Sequence, residues 1–129
     1  MKKVETNSAP KAVGPYSQAV VAGDFVFCSG QIAINPETGN LVEGGIVEQT
    51  NQVISNLEAV LKEAGVDLSK VVKTEVYLKN MADYVAMNDI YALRFATDPA
   101  PARATIEVSK LPKSEEVLVE ISCVAYLKN

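Results

Sequence analysis

The spacing of apolar residues changes period along this chain, and each change marks an element. Between Ile46 and Ala64, the residues Val47, Val53, Ile54, Leu57, Val60, Leu61 and Ala64 recur at helical spacing. That predicts an amphipathic helix, with Gly65 as the residue that closes it. Residues 71–78 switch to a period of two, setting Thr74, Val76 and Leu78 against Lys73, Glu75 and Tyr77. A second helix is predicted from Met81 to Phe95, with Tyr84, Val85, Ile90, Tyr91 and Phe95 on its apolar side. Asp98-Pro99-Ala100-Pro101 breaks it. Two-residue alternation returns at 103–109, where Arg103, Thr105, Glu107 and Ser109 oppose Ala104, Ile106 and Val108. It returns again at 117–127, where Leu118, Glu120, Ser122, Val124 and Tyr126 oppose Val117, Val119, Ile121, Cys123 and Ala125. Earlier in the chain, residues 3–6, 17–22 and 25–29 read as strands. The turns are Ala22-Gly23-Asp24 and Pro36-Glu37-Thr38-Gly39-Asn40.

The order βββαβαββ predicts an α+β fold in which two helices pack on one face of a mixed sheet. The opposite face is expected to carry Glu75, Tyr77, Arg103, Thr105, Glu107, Glu120, Val124 and Tyr126. Half polar and half apolar, such a face suits association with another chain better than bare solvent. At 129 residues, without a repeat or a Pro/Gly/Ser linker, residues 1–129 are expected to form a single domain.

Composition narrows the chemistry. There is no histidine, which removes the commonest general base and the commonest metal ligand. The two cysteines, Cys28 and Cys123, sit in strand-like apolar contexts and read as small buried hydrophobes. A net charge of −4 with scattered lysines argues against a nucleic-acid surface. Met1-Lys2-Lys3 is followed by no apolar run, and no stretch is long and apolar enough to span a membrane; a cytoplasmic location is expected. Arg103 stands out, since Arg94 is the only other arginine. A guanidinium on a strand can hold a small carboxylate through two parallel hydrogen bonds.

Four segments together resemble the Rid family, also called YjgF or L-PSP. They are Gly14-Pro15-Tyr16-Ser17-Gln18-Ala19, Phe27-Cys28-Ser29-Gly30-Gln31, Pro101-Ala102-Arg103-Ala104-Thr105 and Val119-Glu120-Ile121. The resemblance covers essentially the whole chain, with the motifs in matching order. It implies a chorismate-mutase-like fold and homotrimers with clefts between subunits. It also implies hydrolysis of 2-iminobutanoate and 2-iminopropanoate, the imines of reactive enamines released by pyridoxal-phosphate enzymes, to a 2-oxo acid and ammonia. No cofactor and no metal is implied.

On that resemblance Arg103 anchors the substrate carboxylate and Glu120 positions or deprotonates the attacking water. Tyr16 lines the cleft, Ser29 and Gly30 bring backbone close to the substrate, and Asn88 lies near it. Thr105 stands where many members of the family carry cysteine, and it offers a hydroxyl in place of a thiol. Taken alone, Arg103 is equally compatible with a structural ion pair to Glu107 or Glu120. A trimer that binds 2-oxo acids without turnover is the rival reading. A ribonuclease reading meets the absence of histidine and of any basic–aromatic stripe.

Overall fold

The computed structural model describes residues 1–129. Six strands, β1 (Lys2–Val4), β2 (Ala19–Ala22), β3 (Phe25–Gln31), β4 (Val71–Leu78), β5 (Ala102–Glu107) and β6 (Val119–Tyr126), form one sheet in the order β1-β2-β3-β6-β4-β5. Only β4 and β5 run parallel; all other neighbours are antiparallel. Helices α1 (Ile46–Glu63) and α2 (Tyr84–Arg94) are the predicted pair, and the element order is the predicted one. The second helix begins later than its periodicity suggested, because Asn80 caps a short 3₁₀ turn at Met81–Asp83 through its side chain. Gly65 takes φ +91°, the left-handed pose that ends α1.

The core lies between the helices and one sheet face. Ile54, Leu57 and Leu61 of α1 and Met87 of α2 meet Val26, Val76, Leu78 and Ile121 of the sheet, all fully buried. On α2, Met87, Tyr91 and Phe95 turn inward, whereas Val85 points to solvent, contrary to the expected apolar side. Strand β6 alternates buried and half-buried residues along its length, as its sequence alternates. Cys28 and Cys123 are buried, free and directly opposite one another across β3 and β6. Arg94 ties the two helices together, donating to the Asn51 carbonyl and side chain and to Ser55.

Three buried carboxamides fix the loops. Gln49 donates to the Glu116 carbonyl and accepts from the Leu118 amide, which sets the entry of β6. Asn56 donates to the carbonyls of Ile32 and Ile34, pinning the segment after β3 onto α1. Gln18 accepts from the Thr6 amide and donates to the carbonyls of Thr6 and Pro10. Each satisfies backbone groups that no strand or helix reaches. No helix is long and apolar enough to cross a membrane.

One expectation about the sheet is corrected. Parallel pairing with β4 sets Arg103 beside Thr74 and Thr105 beside Val76. Thr74 and Val76 are fully buried beneath the helices, so Arg103 and Thr105 lie on the helix side, and Glu107, beside Leu78, follows them. Ile106 instead faces away and is 49% exposed. Alternation alone gives two sets of residues without saying which faces in. On this edge strand the polar set faces in, because α2 presents polar groups to it.

Candidate active site

Arg103 is held by α2. Its Nη1 donates to Asn88 Oδ1 at 2.7 Å and its Nη2 to the Tyr84 hydroxyl at 2.7 Å. The guanidinium carbon lies 4.6 Å from the Tyr91 ring centroid and 5.6 Å from that of Tyr84, distances at which a cation is attracted to the ring face. Tyr91 is itself fixed by a 2.7 Å bond between its hydroxyl and Thr74. Burial pushes the Tyr91 hydroxyl pKa up, so the phenol remains neutral. Tyr84, Asn88 and Tyr91 are spaced i, i+4, i+7, one face of a helix.

No carboxylate lies within ion-pair distance of Arg103, whereas Arg94 pairs with Glu58. The structural ion pair with Glu107 or Glu120 is therefore not formed; Glu107 accepts instead from the Met81 amide. Asn88 and Tyr84 each turn an oxygen toward the guanidinium, which leaves an amide NH₂ and a phenolic O–H as the groups they still offer. Thr105 Oγ1 is buried without a hydrogen-bond partner. Around Arg103 the chain thus gathers an unpaired cation and spare donors, the chemistry of an anion site.

Glu120 occupies the opposite face of the sheet. Strand β3 carries one extra residue there: Cys28 to Gln31, three steps, matches Cys123 to Ile121, two steps. The extra residue lies in the Ser29–Gly30 step. Ser29 is held by its amide to the Gln18 carbonyl at 3.0 Å and by its hydroxyl to the Ser17 carbonyl at 2.6 Å. Gly30 sits directly under Glu120: a Cβ there would fall 2.3 Å from Glu120 Oε2 and 2.8 Å from Cδ. This explains the glycine by close approach rather than by φ. Glu120, Ser29, Gly30, Tyr77, Lys110 and Pro112 line a cleft of about 390 Å³. Burial raises the Glu120 carboxyl pKa, the direction expected of a carboxylate that must accept protons near neutrality. No cluster of three or more carboxylates or thiols is placed to hold a metal ion.

The predicted residues therefore fall into two groups. Arg103, Asn88 and Thr105 cluster beneath α2; Glu120, Ser29 and Gly30 share the cleft. Tyr16, 54% exposed, lies in a neighbouring cavity that also touches Gly30. The two groups do not meet within one chain. Glu120 pairs with Tyr77 and Arg103 with Thr74, so they stand three residues apart along β4 and two strands apart across it. At about 3.3 Å per residue and 4.8 Å per strand, their backbones are roughly 14 Å apart, on opposite faces. A small imino acid cannot bridge that distance. Sequence reasoning missed Tyr84 and Tyr91 as supports of Arg103, although their spacing with Asn88 was legible. It missed Tyr77 as part of the cleft because its place follows from the pairing of β4 with β6.

The model of the family described as Endoribonuclease L-PSP matches residues 6–127. A RutC family protein of Pyrococcus abyssi is 51% identical over 121 residues, which cover 94% of this chain and 93% of that protein. Reactive Intermediate Deaminase A of Arabidopsis thaliana, a chloroplastic protein, is 45% identical over 124 residues, covering 96% of this chain and 65% of the plant protein. The crystal structure of RidA from the Antarctic bacterium Psychrobacter sp. PAMC 21119 superposes with a TM-score of 0.91 at 39% identity, over 98% of this chain and 99% of that one. Sequence motifs, strand order and these likenesses agree that the chain belongs to the Endoribonuclease L-PSP family, the family of the Rid and YjgF proteins.

Proposed function

We propose that this protein is an imine deaminase that hydrolyses 2-iminobutanoate and 2-iminopropanoate to the 2-oxo acid and ammonia, acting as a homotrimer with composite clefts. The observation that carries this reading is the unpaired, half-buried guanidinium of Arg103 amid the spare donors of Asn88, Tyr84 and Thr105. Leaving a cation without a counter-ion in such a place is costly, unless an anionic ligand completes it. A 2-imino acid brings its carboxylate to that site. Its C=N carbon then lies at the Glu120 of a neighbouring copy.

The reaction needs little else. Glu120 takes a proton from water as the oxygen bonds to the imine carbon, and nitrogen receives a proton to give a carbinolamine. The carbinolamine hydroxyl then gives up its proton and the nitrogen takes up a second one, with Glu120 carrying the proton between them; the C–N bond breaks, ammonia leaves and the 2-oxo acid remains. Arg103 acts by fixing orientation, and Glu120 by moving a proton. Association of copies is supported by the outer sheet face, where Phe25, Phe27, Val72 and Ile106 are 38%, 48%, 43% and 49% exposed. Three copies rather than two is what membership in the family suggests.

The test follows imine loss directly. An amino-acid oxidase generates 2-iminobutanoate, semicarbazide traps what survives, and wild type is compared with Arg103→Ala. Suppression of the semicarbazone by wild type alone supports the deaminase. Wild type that binds 2-oxo acids through Arg103 yet leaves the imine untouched establishes the non-catalytic binder instead.

A further inference from the structure

Glu120 is a carboxylate without a donor. Burial alone shifts its pKa, and it forms no ion pair. The obvious donor nevertheless stands beside it. Tyr77 is directly opposite Glu120 across β4 and β6, and both line the same cleft. Side chains so paired have Cβ atoms about 5 Å apart on one face of the sheet, within reach of a phenol. A phenolic O–H beside a carboxylate ordinarily donates to it.

The Tyr77 hydroxyl goes elsewhere. It donates to Glu75 Oε2 at 2.6 Å, two residues back on the same face of β4. Lys73 Nζ lies 3.4 Å from the other oxygen of that carboxylate. The Tyr77 hydroxyl, and after it the Lys73 ammonium, hold the Glu75 carboxyl below its usual range; Glu75 in turn pushes the Tyr77 phenol up. Charge therefore stays on Glu75 and the proton stays on Tyr77. Two further titratable residues border the cleft. Lys110, from the segment after β5, pairs with no carboxylate, and Cys28 of β3 is buried on the core side.

We propose that Glu75 is a positioning residue of this site: it holds the Tyr77 hydroxyl away from Glu120 and leaves that carboxylate free for the attacking water. The inference rests on the deaminase reading, in which Glu120 accepts a proton from water. A carboxylate that already accepts a bond from a phenol is a weaker base. The bond favours its charged form and occupies a lone pair that the water needs. With the hydroxyl tethered to Glu75, the Tyr77 ring still walls the cleft beside Glu120 while its polar end is turned away.

The test titrates Glu120 itself. Glutamate labelled with ¹³C at the side-chain carboxyl gives the midpoint by NMR, with Glu120→Gln assigning the signal, and imine trapping gives kcat. Removing Glu75 alone would also change the charge near Glu120, so Lys73→Ala and Glu75→Ala are combined. Both side chains are about half exposed, at 54% and 43%, so the core is untouched. The pair of substitutions frees the Tyr77 hydroxyl, which turns to Glu120. The Glu120 midpoint then moves down and kcat at neutral pH falls about tenfold, the worth of one hydrogen bond to a charged group. Adding Tyr77→Phe to the pair brings the midpoint back up to that of wild type. A midpoint unmoved by the pair, or one that stays low after Tyr77→Phe, overturns the inference. If wild type hydrolyses no imine, the deaminase reading has failed instead. The titration needs no substrate and still decides whether Glu75 keeps Tyr77 from Glu120.

Discussion

Replacing Gly30 with alanine separates the geometry of the site from the stability of the fold. Its φ is not in the left-handed region, so alanine meets no backbone penalty there. The new Cβ would lie 2.3 Å from Glu120 Oε2, 2.8 Å from Cδ and 3.0 Å from Cγ. Ordinary contacts begin about 1 Å further out, near 3.5 Å. Either the carboxylate swings away by roughly that amount or strand β3 gives. The carboxylate is the flexible end, so it moves. A displacement of about 1 Å at a proton-transferring group costs about 100-fold in rate, or about 2.7 kcal/mol of activation free energy. Stability should fall by only about 1 kcal/mol, at the mild end of overpacking. The assay is imine trapping together with chemical denaturation, on Gly30→Ala, Glu120→Ala and the double variant. If the carboxylate is what alanine displaces, Gly30→Ala costs almost nothing further in the Glu120→Ala background. Additive losses, or a Gly30→Ala enzyme as fast as wild type, would refute the reasoning.

Other outcomes follow from the same structure. Arg103→Lys should fail to restore 2-oxo acid binding and weaken it about 100-fold by calorimetry, since an ammonium cannot make the paired bonds of a guanidinium. Tyr84→Phe keeps the ring and loses only the hydroxyl; KM should rise about tenfold with kcat retained, and an unchanged KM would remove Tyr84 from the site. Glu120 carries a raised carboxyl pKa in the fold, so the acidic limb of the rate profile should have its midpoint above 4.5. The folded form binds that proton more tightly than the unfolded form. Stability is therefore lost as pH rises from 4.5 through the raised folded value. Glu120→Gln should abolish turnover and also flatten that fall, as denaturation measured between pH 4 and pH 8 would show.

Much of the fold was legible because period and face coincide in its central elements. The apolar residues of α1 recur on one side, and β6 is buried on one face only, so spacing alone located both. Edge strand β5 was legible as a strand but not as to its faces. Ile106 looks like core and Arg103 like surface, yet pairing with β4 and the polar face of α2 reverse them. The function of Gly30 was hidden for a related reason. Its neighbour Glu120 is ninety residues away in sequence, and only the extra residue in β3 brings them together. Arg103 and Glu120 were both singled out from their motifs. Their separation on opposite faces was not, because it follows from how β5 and β6 each pair with β4, which alternation within either strand does not show.

That separation is the central structural claim, and subunit complementation tests it most directly. Arg103→Ala and Glu120→Ala are each expected to keep only about 1% of the wild-type rate alone. Unfolded together in equal amounts and refolded, they assemble clefts that take the arginine from one variant and the glutamate from the other. Random assembly gives about a quarter of the clefts both intact groups, so imine hydrolysis should return to about a quarter of the wild-type value. A mixture that stays as inactive as its parents, while wild type treated in the same way recovers, would contradict the composite site.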